Sequence, residues 1–204
     1  MKRLTLVLLF ILAATGGNAQ SRSRMLREVS GKWEITNDRK VVFSKIYEFP
    51  GKSQQELFQA VEAYYQYHFV ENPITAMNRE QGRIDAHAIF PPVSVQSRDA
   101  SVVYDMVVQF KEGRVRMNVL LQSYDVTQYP ENDPKWTSTL RTRTYSSNPL
   151  NTYPIDPDAS DQPFSLTVFY RTCNNAEYEM NRLRDFIIDG IPASEDAFGL
   201  EEDW

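Results

Sequence analysis

Residues 101–124 read SVVYDMVVQFKEGRVRMNVLLQSY, and this stretch decides the predicted fold. Two runs rich in Val and aromatic residues flank the segment KEG at 111–113, which is typical of a β-hairpin. Because side chains alternate between the two faces of a strand, the pattern requires a loop with an even number of residues, such as Glu112 and Gly113. One face of the hairpin is then apolar and consists of Tyr104, Met106, Val108, Phe110, Val115, Met117, Val119 and Leu121.

The opposite face of the hairpin is largely polar. The same register places Gln109 opposite Arg116 and Lys111 opposite Arg114. A sheet with one apolar and one polar face is expected when helices cover only one side. We call this polar side the open face, and on the hairpin it carries Asp105, Val107, Gln109, Arg114, Arg116 and Asn118.

The residues before the hairpin predict a strand in VVFSKIYEF (41–49), with a short strand in GKWEI (31–35) ahead of it. They then predict two strands, ITAMN (74–78) and RIDAHAIF (83–90), joined by a turn through Glu80, Gln81 and Gly82. Pro91 and Pro92 are expected to end the second of these strands, because proline lacks the N–H that a sheet needs.

Gly51, Lys52 and Ser53 have the residue order that closes a phosphate-binding P-loop. That loop also needs a glycine at position 46, which is Ile46 here, so nucleotide binding is not expected. Ser53 and Glu56 instead have the spacing of a capping box and predict a helix start. The helix is expected to end near Phe69, and its apolar stripe is Leu57, Val61, Tyr64, Tyr65 and His68.

The segment 127–160 is rich in Pro, Asn, Asp, Ser and Thr and predicts a long irregular insertion, whose order the sequence leaves open. Within it, TLRTRTY (139–145) predicts one extra edge strand. Beyond it, apolar residues at steps of three and four predict a single helix from Pro163 to Asp189, ended by Gly190 and Pro192. A strand at LTVFY (166–170) followed by a shorter helix is the alternative.

The N-terminus predicts export. Basic residues precede the apolar run LTLVLLFILAA (4–14), which is too short to span a bilayer, and small residues suit cleavage after Ala19. We therefore expect a signal peptide at 1–19, no lipid anchor, no membrane span and a periplasmic or secreted protein. Once Lys2 and Arg3 are removed, 20 basic residues remain beside 27 acidic ones, and a formal charge of −7 argues against nucleic acid as a partner. With Cys173 as the single cysteine, no internal disulfide forms.

The chain resembles domain-of-unknown-function family 4468, which has a TATA-binding-protein-like (TBP-like) fold. The resemblance rests on VVFSKIYEFPGKSQQELFQAVEAYY (41–65), GRIDAHAIF (82–90) and VVYDMVVQFKEGRVRMNV (102–119). It implies an α+β fold, an antiparallel β-sheet in the order β-α-β-β-β-β-α with helices packed on one face. It also implies an exported protein of Gram-negative bacteria, with no assigned activity and no catalytic residues to transfer.

Candidate site residues concentrate on the open face. Arg83, Asp85 and His87 alternate onto one side of their strand, and a metal site there lacks a third ligand in the sequence. The arginines are suited to an anionic or sugar-like ligand or to a partner protein, although a charge lattice that keeps the sheet soluble is an alternative. The predicted ligand-binding residues are Arg83, Asp85, His87, Gln109, Arg114 and Arg116.

These patterns together predict a domain at 41–190 between an N-terminal segment (20–40) and an acidic tail (191–204). Neither histidine has a nucleophile motif beside it, and Cys173 lies on the predicted helix stripe, so no catalytic residue, metal site or cofactor is predicted. We expect a non-enzymatic module that binds an envelope protein or glycan on the open face. A glycan-acting hydrolase and a purely structural envelope component are the alternatives.

Overall fold

The computed structural model describes residues 21–130 and 142–190. The predicted signal peptide, the acidic tail and the first part of the predicted edge strand, at 139–141, lie outside the described residues. Within the described ranges the chain forms one antiparallel sheet in the order β1-β2-β6-β5-β4-β3, and β7 pairs with β6 beyond the end of β2. The strands are β1 (Glu34–Ile35), β2 (Val41–Glu48), β3 (Ile74–Asn78), β4 (Arg83–Val95), β5 (Arg98–Lys111), β6 (Arg114–Gln128) and β7 (Arg143–Ser147).

Helices cover one face of this sheet, as predicted. They are α1 (residues 21–29), α2 (Gln54–His68) and α3 (Gln162–Asp189). Leu57 and Val61 of α2 and Leu183 of α3 are fully buried against the sheet. The predicted α+β class with helices on one face is therefore confirmed for the described residues. β1 lies within the short strand predicted at 31–35, β7 overlaps the predicted edge strand, and α1 is the element that the sequence analysis did not predict.

The central hairpin has the predicted register. Phe110 pairs with Val115 and Lys111 with Arg114, so the loop consists of Glu112 and Gly113. All eight residues of the predicted apolar face are buried, and each has an exposed fraction of 3% or less. Alternation of hydrophobic residues was therefore sufficient to place the turn.

The two prolines of β4 do not end the strand, contrary to the sequence prediction. The strand continues to Val95, and the register with β5 shifts between Phe90 and Val93. Pro91 and Pro92 occupy this bulge, where a residue without an N–H costs no ladder hydrogen bond. The bulge lets β4 stay paired with β5 along nearly its whole length.

The C-terminal helix is one continuous element, so the alternative of a strand plus a helix is wrong. Asp161 caps it, since its carboxylate accepts a hydrogen bond from the Phe164 N–H at 3.3 Å. Gly190 ends it with a φ of 79°, a conformation that favours glycine. The β-branched residues near its start are tolerated because Leu166, Val168 and Phe169 are buried against the sheet.

The described part of the insertion predicted to be irregular contains regular elements up to residue 151 and only turns and bends from 152 to 160. β6 continues to Gln128, β7 pairs with its end, and a short 3₁₀ turn at Pro149–Asn151 follows. Thr152 is buried, and its hydroxyl donates to the carbonyl of Pro149. The described part of the predicted edge strand, Arg143–Ser147, is thus a strand.

Residues 20–40 include a helix that the sequence analysis did not predict. In α1, Val29 is buried in the core and Glu28 accepts a hydrogen bond from the Tyr170 hydroxyl at 2.6 Å. Its sequence is too short and too polar to show a hydrophobic period. The contacts of α1 with α3, rather than a hydrophobic pattern in its own sequence, explain why this helix forms.

A polar cluster lies between α2 and α3. Glu179 is 7% exposed and accepts a hydrogen bond from the Tyr64 hydroxyl at 2.6 Å. Next to it, Arg182 donates to Nδ1 of His68 at 2.8 Å. Burial and the neighbouring Arg182 charge lower the pKa of His68, since both disfavour the protonated ring.

We predict that Gly82→Ala destabilises the fold more than Gly51→Ala. Both glycines have a positive φ, 58° and 84°, so alanine costs about 1–2 kcal/mol at either position from backbone conformation alone. At Gly82 a Cβ would also lie 2.8 Å from the carbonyl oxygen of Phe110, whereas at Gly51 nothing lies within 4 Å. Urea denaturation of both variants measures the difference, and equal losses of unfolding free energy would contradict the described packing of the β3–β4 turn.

We also predict that part of the loss of stability under mild acid comes from His68. The folded-state pKa lies below the ordinary value of 6.5, so the unfolded chain binds a proton that the folded chain resists. This contribution is fully present above pH 6.5 and is lost as the pH falls below it. Unfolding free energies of wild type and His68→Gln, measured between pH 7.5 and 5.5, should fall less in the variant, and parallel curves would refute this origin.

Candidate binding surface on the open face

The predicted site residues all lie on the open face and are brought together there by strand pairing. Arg83 of β4 pairs with Gln109 of β5, which pairs with Arg116 of β6, which pairs with Ile46 of β2. These four residues form one row across four strands. Arg114 lies one row further toward the hairpin loop, opposite Lys111 and Glu48.

Arg83 and Asp85 bind each other. The guanidinium Nε and NH2 donate to the two carboxylate oxygens at 2.7 and 2.9 Å, which is a bidentate fork. The side chains are 45% and 24% exposed, so the pair lies at the surface. Within the predicted site, the charge of Arg83 is therefore already neutralised locally.

His87 belongs to a hydrogen-bonded row that crosses the middle of the face. Its Nδ1 lies 2.7 Å from a carboxylate oxygen of Asp105, and the other oxygen of Asp105 accepts from the amide of Gln122. The carbonyl of Gln122 in turn accepts from Lys40 Nζ at 2.9 Å. About half of the His87 side chain is exposed, so this row does not enclose a ligand. Its hydrogen bonds instead hold the side chains of the open face in position.

Gln122 and Lys40 are the members of this row that sequence reasoning missed. Tyr104 pairs with Leu121 and Val103 with Ser123, so Gln122 is the extra residue of a β-bulge. The run LLQSY shows no turn residue that would mark the bulge. Lys40 precedes β2, and only the folded sheet brings it to β6.

The end of the open face beside the hairpin loop carries cations without ion-pair partners. Among the described residues, no carboxylate lies within salt-bridge distance of Lys111, Arg114 or Arg116. Within the described ranges, the one side-chain hydrogen bond of Arg116 is to the hydroxyl of Ser44, at 3.5 Å. We call these three cations, together with Ile46, the basic end.

The opposite end of the open face is acidic. Asp99 accepts hydrogen bonds from Ser94 and Tyr129, and Asp125 accepts them from Ser123 and Ser146. Cations therefore predominate at one end of the face, with Glu48 beside them, and hydroxyl-bonded carboxylates lie at the other end. Such an asymmetric field orients a charged partner during encounter.

Aliphatic side chains interrupt the polar surface. Ile46 is 56% exposed and Ile89 is 61% exposed, which is unusual for isoleucine in a sheet. Val103, Val107 and Leu120 lie between them and are half-buried. The open-face positions of β2, β4, β5 and β6 carry no Phe, Tyr or Trp, so these four strands offer no ring on which a sugar can stack.

The described residues contain neither a metal-binding cluster nor a reactive thiol. The described residues contain no group of three or more His, Cys, Asp or Glu side chains able to hold a metal ion. Cys173 is buried in the core, and burial raises the pKa of its thiol to about 11, so it is protonated at neutral pH. None of the described helices is long and apolar enough to cross a membrane.

Two solved structures resemble the fold of this chain. A TBP-like protein from Parabacteroides distasonis matches with a TM-score of 0.57 and 16% identity, covering 76% of this chain and 97% of that one. The chain has a TBP-like fold. A DUF4468 family protein from Bacteroides ovatus matches with a TM-score of 0.50 and 18% identity, covering 81% of this chain and 94% of that one.

The second match carries the family name that the sequence resemblance suggested, and so supports it. No protein-family profile matches the chain, and neither does any curated protein. At these identities the comparisons establish the TBP-like fold alone. The open face and its basic end must therefore be interpreted from their own chemistry.

We predict that Asp85→Ala changes the unfolding free energy by less than about 1 kcal/mol, because exposed ion pairs stabilise weakly. Asp85→Asn serves as a control that keeps the shape of the side chain. Urea denaturation at low and high salt measures both effects. A loss well above this range would show that the Arg83–Asp85 pair is structural, which would remove both residues from a binding surface.

Proposed function

We propose that this chain is an exported, non-enzymatic binding module whose open face binds an acidic partner protein of the cell envelope. The observation that carries the proposal is the basic end, where three unpaired cations lie beside an exposed isoleucine. Arginine next to apolar surface is a composition enriched at protein–protein interfaces.

A protein partner fits the open face better than a glycan does. The face is a sheet surface without an aromatic ring in its open-face positions, and glycan sites rely on such rings for their apolar contact. Exposed Ile46 and Ile89 would instead be desolvated by a flat partner surface. The unpaired cations favour carboxylates on that partner, to which guanidinium groups bind bidentately.

Export is supported by the N-terminal sequence. The apolar run and the small residues before Ala19 are typical of a cleaved signal peptide, and the net negative charge of the remainder argues against nucleic acid. The proposed site of action is the periplasm or the cell exterior. The TBP-like fold does not alter this proposal, because fold alone does not imply function.

The alternative of a glycan-acting hydrolase lacks a geometric basis in the described residues. Such an enzyme needs two carboxyl groups flanking the scissile bond. On the open face, Asp85, Asp105 and Asp125 are bonded to Arg83, His87 and a serine hydroxyl, respectively. A purely structural component would leave the basic end without a partner, which is what the following experiment tests.

We predict that a photo-crosslinking residue at position 109 captures a discrete partner in the native envelope, whereas the same residue at position 59 does not. Gln109 lies between Arg83 and Arg116 in the row described above, and Gln59 is exposed on α2. The two variants differ in location, but in both the reactive residue replaces a glutamine. Mass spectrometry of the adducts gives the readout, and equal or absent adducts at both positions would refute an interaction on the open face.

Charge reversal provides the matched control. Arg114→Glu combined with Arg116→Glu should abolish the position-109 adduct, because each change turns attraction to an acidic partner into repulsion. Arg171→Glu, on the exposed face of α3, changes charge without touching the open face and should leave the adduct intact. An adduct that survives the double reversal would exclude an acidic partner.

A further inference from the structure

A cavity of about 140 Å³ lies on the helix-covered side of the sheet, away from the open face. It is bounded by the ends of β6 and β7, the segment 148–161 and the first turn of α3. We call it the β7 cavity. Side chains from separate elements converge on it, among them Arg98, Tyr145, Asn151, Asp161 and Phe164.

The polar wall of the β7 cavity is held in place by several interactions. Arg98 is 15% exposed, and its NH1 lies 2.7 Å from the carboxylate of Asp161. The same guanidinium lies 3.8 Å above the centre of the Phe164 ring, a cation–π contact. Asp161 is fixed in turn as the cap of α3. Because these side chains are already held in place, little side-chain conformational entropy remains to be lost when a ligand binds.

A second polar group lies behind this wall. Tyr124 is 2% exposed and lines the cavity, and its hydroxyl makes no hydrogen bond of ordinary geometry, although the hydroxyls of Thr152 and Thr172 lie near it. Both threonine hydroxyls donate to backbone carbonyls, which leaves their oxygens able to accept a hydrogen bond from the Tyr124 hydroxyl. Tyr124 therefore adds a polar group to the inner wall of the cavity.

The chemistry of the lining selects a neutral ligand rich in hydroxyl groups. The charges of Arg98 and Asp161 cancel, so an isolated anion or cation gains little there. Asn151 both donates and accepts hydrogen bonds, as do the hydroxyls of Ser147 and Ser160, which is the combination that a sugar hydroxyl requires. Tyr145 is 44% exposed and lines the cavity, so its ring can supply the apolar contact that a sugar ring requires.

The volume restricts the size of the ligand. A cavity of about 150 Å³ in another protein holds benzene, so the β7 cavity accepts roughly one six-membered ring. This is below the volume of pockets that hold drug-sized molecules. A longer glycan would have to present a single terminal ring and leave its other rings in solvent.

We propose that the β7 cavity binds one neutral sugar ring, such as the terminal residue of a glycan. This site does not depend on the open face, because it lies on the other side of the sheet and shares no lining residue with the basic end. The chain would then carry two independent surfaces, one for a protein and one for a sugar.

The test uses methyl glycosides of glucose, galactose, mannose and N-acetylglucosamine, titrated into the ¹⁵N-labelled mature protein and followed by NMR. At least one should give saturable shifts confined to the amides around the cavity, which are those near Arg98, at 124–126 and at 145–168, with a Kd in the roughly millimolar range expected of so small a ligand. Absence of saturable shifts with all four sugars, as expected of a cavity that holds only water, would overturn the proposal.

Matched variants separate a ring contact from a nonspecific effect. Tyr145→Ala should weaken the best glycoside by about tenfold or more. Tyr178→Ala, which removes a 67% exposed tyrosine of α3 outside the cavity lining, should leave the affinity unchanged. Asn151→Ala should weaken binding as well. Equal affinities in all three variants would overturn the site, whereas the photo-crosslinking result at position 109 is unaffected either way.

Discussion

The pairing of β5 with β6 is the constraint on which the remainder of the structure depends. The two strands stay paired from their loop at Glu112 and Gly113 back to the pair of Arg98 with Gln128. Their inward side chains form the floor on which α2 and α3 pack, and their other edges hold β4, β2 and β7. Because apolar and polar residues alternate along both strands, the same hydrogen bonds that fix the core also fix the composition of the open face.

One irregularity in this pairing connects the two sides of the sheet. The bulge at Gln122 shifts the register, so that Tyr124 and Val126 continue to point inward after Leu121. On the open face the extra residue joins Asp105 to Lys40. On the helix-covered side, Tyr124 and Val126 become part of the wall of the β7 cavity. In a strand with strict alternation, Tyr124 and Val126 would instead point to the open face. Neither the link from Asp105 to Lys40 nor this wall of the β7 cavity would then form.

The parts of the fold that follow from periodic patterns could be predicted from the sequence, and the parts that follow from tertiary docking could not. Alternation located the central hairpin, and a spacing of three and four located α3, because both elements bury a long regular stripe. The same alternation placed Arg83, Gln109 and Arg116 on one face. It did not reveal that Arg83 is paired with Asp85, since a lateral ion pair depends on rotamers rather than on register.

Predictions based on single residues were less successful. Pro91 and Pro92 read as a strand end, yet a bulge accommodates them without loss of pairing. α1 has no readable pattern because its stability derives from contacts such as Glu28 with Tyr170. Gln122, Lys40 and the walls of the β7 cavity come together only after long-range pairing. No local signal in the sequence marks them, which is why the candidate site was only partly predicted.

The distribution of charges separates the structural surface from the candidate binding surface. On the helix-covered side, the charged groups closest to the core are paired or hydrogen-bonded, as Glu179 is with Tyr64 and Lys32 with Glu177. The pairing lowers the pKa of Glu177, chiefly through the hydrogen bond from Lys32, so the carboxylate stays ionised beside the core. Burial makes such partners necessary. At the basic end the arginines are exposed, so burial does not require a partner for them. Their contact with water can be replaced by contact with a carboxylate of another molecule. The exposed Ile46 beside them would add the burial of apolar surface to that contact.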